Sequence, residues 1–184
     1  FNNKGGWAAQ ARVNAQLADL GTVNLSASMS TPGWGSLEQK LNERQRETNQ
    51  QYDLSASLDL AKFLPKEANL SIPMYYSISE NVIRPEFNPL DPDVKLNDVL
   101  RSNEFTDDYK DSIRKITDDY TRRRSLNFTN VKKVPGPNKG KSRIYDVENL
   151  SFSYAYTEIY QRDINTKYDK QETYRGGINY AYSA

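Results

Sequence analysis

Two stretches near the start of the chain alternate apolar and polar side chains with a period of two residues. In residues 7–17 every odd position is apolar, from Trp7 to Leu17, and Gln10, Arg12, Asn14 and Gln16 lie between them. In residues 22–30 the odd positions from Val23 to Met29 are apolar and the even positions are Thr, Asn or Ser. This period predicts two antiparallel strands, joined by a turn, with two chemically different faces.

Five further segments follow the same pattern, at residues 52–60, 69–79, 125–131, 150–157 and 176–183. The predicted fold class is therefore all-β, with antiparallel up-and-down strands. Pro73 lies inside the fourth segment, where it has no N–H to donate, so we expect a bulge or break there. The connections are about 5, 21, 8, 45, 18 and 18 residues long, and the first four alternate short and long, which is typical of bacterial outer-membrane barrels.

The longest connection, residues 80–124, is predicted to hold a small helical insert. A Pro-rich stretch opens it, followed by helices near residues 94–100 and 107–123. Thr106 is placed to cap the second helix, and Arg122–Arg124 are expected to end it, where cations suit the helix dipole. We prefer this role for the three arginines over binding of a phosphate or lipopolysaccharide.

The number of charged residues distinguishes strands of a soluble domain from strands of a transmembrane barrel. The seven segments contain only Arg12, Asp53 and Asp59, although the chain has 25 basic and 24 acidic residues. A sheet that faces water in a soluble domain usually carries many charges, whereas small neutral polar residues suit a barrel interior. The pattern favours an arc of a large transmembrane β-barrel.

Each face then receives its own set of residues. Residues expected to line the lumen are Gln10, Arg12, Asn14, Gln16, Ser26, Ser28, Asp53, Ser55, Ser57 and Asp59. Residues expected to face lipid are Val13, Leu17, Val23, Leu25, Leu54, Leu58, Leu70, Ile72, Phe152 and Tyr154. Aromatic residues near the strand ends, such as Trp7 and Tyr174, fit the girdles of such barrels.

The alternative interpretation is a soluble β-sandwich that serves as an adhesin or binding module, because its sheets also alternate. An outer-membrane enzyme is the third class. The chain has no His and no Cys, and its net charge is +1. We therefore expect no enzyme, no cofactor, no metal and no nucleic-acid partner. Asp91, Asp93 and Asp98 lack the calcium-loop spacing and are interpreted as turn and cap residues.

Seven strands do not close a bacterial single-chain barrel, whose strand number is normally even and at least about eight. An open sheet in lipid would also leave two edges of unpaired backbone groups. The chain starts abruptly at Phe1 and ends within a strand-like pattern at Ala184. We expect it to be a portion of a longer polypeptide.

Several segments resemble the SprA/Sov proteins of the type 9 secretion system. The resemblance is carried by residues 6–9, 11–14, 17–23, 33–39, 42–44, 88–94, 118–125 and 174–177. It implies an outer-membrane translocon of Bacteroidetes-type bacteria, involved in protein secretion and gliding motility. The barrel of this family is a single chain of the class of about 36 strands. The implied partners are a PorV-type outer-membrane barrel protein, a periplasmic plug protein, membrane lipid and the folded cargo that passes to the cell surface.

Overall fold

A computed structural model describes residues 5–35, 38–40, 43–136 and 143–182 of the chain. They form one antiparallel sheet with the strand order β1-β2-β3-β5-β8-β9-β10, with β4 paired to β8, and a separate β6-β7 hairpin. The strands are β1 Ala8–Leu17, β2 Gly21–Ser30, β3 Glu47–Asp59, β4 Leu70–Ser71, β5 Pro73–Pro85, β6 Phe87–Asn88, β7 Asp91–Lys95, β8 Asp119–Lys133, β9 Leu150–Arg162 and β10 Asp169–Tyr180. The helices are α1 Leu96–Arg101 and α2 Asp107–Thr117, with short 3-10 helices at Leu60–Phe63, Lys66–Ala68 and Val147–Asn149. The predicted all-β class with antiparallel strands is confirmed.

Most predicted strands have the right place but are too short. The segments predicted at 52–60, 125–131 and 150–157 belong to β3, β8 and β9, which extend to Glu47, Asp119 and Arg162. The last strand runs over Asp169–Tyr180 rather than 176–183, and Ser183 lies outside the described residues. Most of the missed residues are polar or charged, as in Glu47–Gln51 of β3, so no alternation of apolar positions marks them as strand.

Pro73 interrupts the predicted fourth segment as expected. The chain forms β4, leaves strand geometry at Ile72 and resumes with Pro73, which is paired with Asp59 of β3. Asp59 holds this corner together, because its Oδ1 accepts hydrogen bonds from Ala61 N (3.1 Å) and Ile72 N (3.2 Å). The predicted break is confirmed.

The insert at residues 86–118 has the only buried apolar cluster among the described residues, made by Leu96, Leu100 and Ile113. Thr106 caps α2 as predicted, since its Oγ1 accepts a hydrogen bond from Tyr109 N at 3.3 Å. The predicted helix at 107–123 is wrong beyond Thr117, and the predicted helix at 94–100 begins at Leu96, after β7.

Arg122–Arg124 do not end a helix. They lie within β8, where the register pairs Arg122 with Glu80 of β5 and Tyr160 of β9. Pairing on both sides of β8 supplies backbone hydrogen bonds and side-chain partners that outweigh the local helical pattern. The helix-dipole interpretation of these arginines is therefore wrong.

The sheet has two distinct ends. At the hairpin end the connections are residues 18–20, 60–72 and 134–149, and at the insert end they are 31–46, 86–118 and 163–168. The first four connections keep the expected order of short and long, at 3, 16, 13 and 33 residues, although the second and third differ by only three residues. The insert remains the longest connection.

No second sheet packs on this one in the part of the chain that the structure describes. As a result, large apolar side chains stay exposed across the sheet, including Val13 (58%), Phe152 (50%) and Ile178 (70%). A soluble sandwich, by contrast, buries one face of each sheet against another sheet. None of the described helices has the length and apolar character needed to cross a membrane.

Candidate functional site: a sheet with two different faces

The register brings all ten predicted lumen residues onto one face, which we call the polar face. One row across it pairs Arg12 with Ser26, Ser26 with Asp53, and Asp53 with Ser79 of β5. Asp53 is the centre of this row, because its carboxylate accepts hydrogen bonds from Ser79 Oγ (2.6 Å), Gln51 Nε2 (3.0 Å) and Ser26 Oγ (3.2 Å). Neutral side chains thus donate all three hydrogen bonds to the carboxylate of Asp53. The face is polar although few of its side chains are charged.

The opposite side, which we call the apolar face, holds the predicted lipid-facing residues. Pairing places Val13 beside Leu25, Leu25 beside Leu54, and Leu58 in the row that continues to Phe128 and Tyr154. Two predicted members lie at its margin, since Leu70 is in the short β4 opposite Lys133 and Ile72 is between strands. The register shows which residues lie on the same face of the sheet. That one face meets lipid and the other a water-filled lumen stays a prediction.

The apolar side chains of this face do not follow the rows of paired residues. The row that contains Val13, Leu25, Leu54 and Ile78 continues into charged residues, Arg124, Glu158 and Glu172, on the last three strands. On β10 the apolar residues come later, at Ile178 and Tyr180, towards the hairpin end. The apolar residues therefore form an oblique band, which we call the apolar belt, and it drifts towards the hairpin end from β1 to β10.

A network of ion pairs and aromatic rings borders the belt on its insert side. The side chain of Glu158 is 7% exposed, and its carboxylate accepts a hydrogen bond from Arg122 Nη2 at 3.0 Å. The same carboxylate lies 3.5 Å from Lys170 Nζ and 3.9 Å from Arg124 Nε. Tyr156 OH, at the edge of the belt, donates to carboxylate oxygens of Glu158 and Glu172 at 3.2 and 3.1 Å.

Aromatic contacts continue this border towards the insert. Tyr156 contacts Tyr174 with ring centroids 5.0 Å apart, and Tyr160 contacts Tyr120 and Tyr168 at 6.0 and 6.5 Å. Amphipathic rings of this kind sit where an apolar region meets water. The border thus has the composition of a boundary between apolar and aqueous surroundings.

Comparison with known families agrees with the strand and loop sequences noted above. The profile of one family, SprA_N, described as motility related/secretion protein, matches residues 1–100. The chain belongs to the SprA_N family. This match spans β1 to β5 and reaches into α1, so it includes both predicted faces at their most regular part. No curated protein matches the chain.

Membership of the SprA_N family relates the chain to motility and secretion. Among the described residues no group of three or more Asp and Glu side chains is arranged to hold a metal ion. Asp91 and Asp93 lie in β7 and Asp98 in the first turn of α1.

The sequence interpretation missed the charged network of this SprA_N chain. It expected strand charges on the polar face alone, but Glu80, Arg122 and Glu158 lie on the apolar face, because the strands continue past the belt. A signal existed in the alternation of Lys170, Glu172 and Tyr174, three residues on one side of β10. Two of these three residues are charged and one is aromatic, so their alternation is not recognised as a hydrophobic periodicity.

Proposed function

We propose that this chain is part of the wall of a transmembrane β-barrel in the bacterial outer membrane. The barrel would enclose a protein-conducting pore that exports folded proteins to the cell surface by the type 9 secretion route. The single observation that carries the proposal is the oblique apolar belt on an open, single-layered sheet. Motility and secretion are the processes of the family to which the chain belongs.

The slope of the belt supports tilted strands. Glu172 shares the row of Val13, and Ile178 lies six residues farther along β10. Six residues correspond to about 20 Å along a strand, and six strand spacings to about 29 Å, so the belt crosses the rows at about 35°. Barrel strands tilt by about 35–45°, and a membrane band of constant height on such strands must cross the rows at a similar angle.

The width of the belt also agrees with a membrane. On β1 the apolar positions run from Ala9 to Leu17, which is about 26 Å along the strand. Tilted by about 35–40°, this length corresponds to a height of about 20 Å, close to the apolar band of about 25 Å in outer-membrane barrels.

The polar face would line the pore. Ser, Asn and Gln side chains give passing cargo a hydrated wall with few fixed charges, and the carboxylate of Asp53 is already occupied by three donors. Such a wall does not retain proteins of diverse surface charge. The role is non-catalytic, in keeping with a chain that has neither His nor Cys.

Orientation and partners follow from barrel architecture and from the resemblance. Outer-membrane barrels have short periplasmic turns and longer extracellular loops, so the hairpin end, with its turn at residues 18–20, would face the periplasm. The insert would then be extracellular. A PorV-type barrel protein, a periplasmic plug and secreted cargo are the partners that the resemblance to the SprA/Sov proteins implies.

Cysteine labelling of the full-length protein in its native membrane tests the proposal. Two residues that are adjacent in sequence lie on opposite faces of the sheet and so give a matched pair of variants. The pairs are Leu54→Cys with Ser55→Cys, and Leu25→Cys with Ser26→Cys. This segment has no native cysteine. We expect a water-soluble maleimide to label the two serine positions, and a quencher attached to lipid tails to act on probes at the two leucine positions.

Attachment of a bulky polymer to the cysteine at position 55 should also block export, whereas the same polymer offered to position 54 should not react. Labelling of both members of each pair from water, with no quenching by lipid, would overturn the membrane assignment. Labelling of position 55 without any effect of the polymer on export would overturn the pore assignment.

A further inference from the structure

A cleft opens on the apolar face just beyond the border of the belt. The cleft lies between the last turn of α2 and the connection 163–168. Tyr160 of β9 also lines it. Its lining includes Lys115, Ile116, Tyr160, Arg162, Ile164 and Lys167. The cleft does not belong to the polar face, because the register places Tyr160 and Arg162 on the same side of the sheet as Val13 and Leu25.

Its charged groups leave an excess of unpaired cations. Lys115 and Lys167 have no carboxylate partner among the described residues, and Arg162 uses Nη1 to donate to the carbonyl oxygen of Lys115 at 2.8 Å. Asp163 is the one acidic residue of the lining, and its Oδ1 accepts from Asn165 N and Thr166 N, both at 2.7 Å. Backbone hydrogen bonds thus hold the carboxylate within the turn, while the cations remain available to an anion.

The other groups of the cleft are apolar and exposed. Ile116 and Ile164 are 44% and 43% exposed, and the ring of Tyr168 stacks on Tyr160. A small inorganic anion gains nothing from such walls. An amphipathic molecule with a negative group and hydrocarbon beside it satisfies both kinds of lining.

The cleft lies next to the headgroup layer of a bilayer, on its aqueous side. Tyr160 lies four residues beyond Tyr156, the edge of the belt on β9. Four residues are about 13 Å along a strand, or about 10 Å in height at a tilt of about 35–40°. The headgroup layer extends about 5–8 Å beyond the hydrocarbon on each side of a bilayer, so the cleft begins a few ångströms outside it, within reach of long Lys and Arg side chains.

We infer that this cleft binds the phosphate-bearing headgroup of a lipid in the adjoining membrane leaflet. The inference rests on the proposed function, because the apolar belt must be in lipid for a headgroup to reach the cleft. Lys115, Lys167 and the free nitrogens of Arg162 contact the phosphate, and Ile116 and Ile164 form the apolar wall of the cleft beside them. Bound lipid then fastens the insert to the membrane surface through α2.

Photolabelling of the full-length protein tests the site. The protein is reconstituted into nanodiscs of phosphatidylcholine that contain a minor fraction of a photoreactive phosphatidic acid, and labelling of the peptide that includes Tyr168 is measured. The double variant Lys115→Ala/Lys167→Ala should lose about 25-fold in labelling, because a surface lysine contributes about fivefold to binding of an anionic membrane. The matched control Lys62→Ala/Lys66→Ala removes two exposed lysines at the hairpin end and should leave labelling of this peptide unchanged.

Three outcomes are informative. Loss in the cleft variant but not in the control supports the inference. Equal labelling in both variants overturns it, as does complete competition by inorganic phosphate, which would indicate a site for free phosphate. Quenching of a probe at Leu54→Cys in the same nanodiscs reports separately on the membrane assignment. If that probe is quenched and the cleft is unlabelled, only the headgroup site fails.

Discussion

Arg84 and Asp118 join the two ends of the insert through a two-point ion pair. Arg84 Nε donates to Asp118 Oδ1 at 2.8 Å, and Nη2 donates to Oδ2 at 2.6 Å. Arg84 is at the end of β5 and Asp118 caps the C-terminus of α2, so the pair closes the neck of a segment more than thirty residues long. Asp118 is 3% exposed, and a buried carboxylate requires such a partner.

Arg84→Ala is expected to loosen the insert without unfolding the sheet. Removal of the guanidinium leaves a buried carboxylate without its ion-pair partner, and the cost should be about 2–3 kcal/mol, below the range for fully buried pairs, since Arg84 remains partly exposed. Hydrogen exchange measured by mass spectrometry should accelerate across 86–118. The control Asp111→Ala breaks an exposed pair with Arg114 and should change exchange little. Equal exchange in the two variants would contradict a closing role for Arg84.

A methyl group at position 21 is expected to disrupt the first hairpin. Gly21 has φ +144°, and a Cβ there would lie 1.9 Å from the carbonyl oxygen of Ser57 on β3. Gly21→Ala should therefore cost at least about 1–3 kcal/mol through backbone strain and steric overlap. The matched variant Gly177→Ala adds a methyl group in open space on β10. Urea unfolding of the full-length protein should show a lower midpoint for Gly21→Ala alone, and equal midpoints would argue against this close approach.

Glu158→Gln is expected to destabilise the pairing of β8, β9 and β10 more than Glu172→Gln. Three cations share the carboxylate of Glu158, whereas Glu172 pairs with Lys170 alone among the described residues. Neutralisation of Glu158 leaves the two neighbouring arginines of β8 without their counter-ion. Amide exchange in β8 and β9 should rise for Glu158→Gln and stay close to the parent value for Glu172→Gln. The reverse order would show that the network is not centred on Glu158.

The turn at 163–168 should depend on pH through Asp163. Backbone N–H groups of Asn165 and Thr166 hold the pKa of this carboxyl below its usual value. Because the folded state binds the proton less tightly than the unfolded state, the turn is stabilised above the ordinary pKa of Asp, and this stabilisation is lost as the pH falls through the lowered value. At neutral pH, Asp163→Ala should speed exchange of those two amides. Asp163→Asn keeps an Asx turn but has no titrating group, so it should not show the acceleration, relative to the intrinsic rate, that the parent shows as the pH falls. The same acceleration in Asp163→Asn would mean that ionisation of Asp163 does not order the turn.

The slope of the apolar belt makes a further prediction about charge. Arginine at Val13 on β1 or at Ile178 on β10 should cost about 2–4 kcal/mol near the bilayer midplane, although these positions belong to different rows of the sheet. Asn14→Arg and Asn179→Arg are the controls on the opposite face. The yield of folded protein in the outer membrane and its urea midpoint measure the effect. Equal tolerance at all four positions would place the belt in water.

Local information in the chain was enough for the faces and for several details. Alternation of the kind seen from Ala9 to Leu17 specifies a strand and the side to which each residue points, because successive side chains of a strand lie on opposite sides. The cap at Thr106 and the break before Pro73 are also local, since each depends on hydrogen bonds with neighbours in sequence or on a missing N–H. These features could be predicted from the sequence.

Tertiary structure alone decided where strands end and which distant residues meet. Arg122 and Arg124 follow a helical pattern, and they become strand residues only because β5 and β9 pair with both sides of β8. The ion pair of Arg84 with Asp118, the cluster around Glu158 and the slope of the belt all depend on register between segments far apart in sequence. Hydrophobic periodicity records whether a side chain faces the apolar side, but it carries no information on the partner strand or its offset, and that offset determines which charges are neutralised.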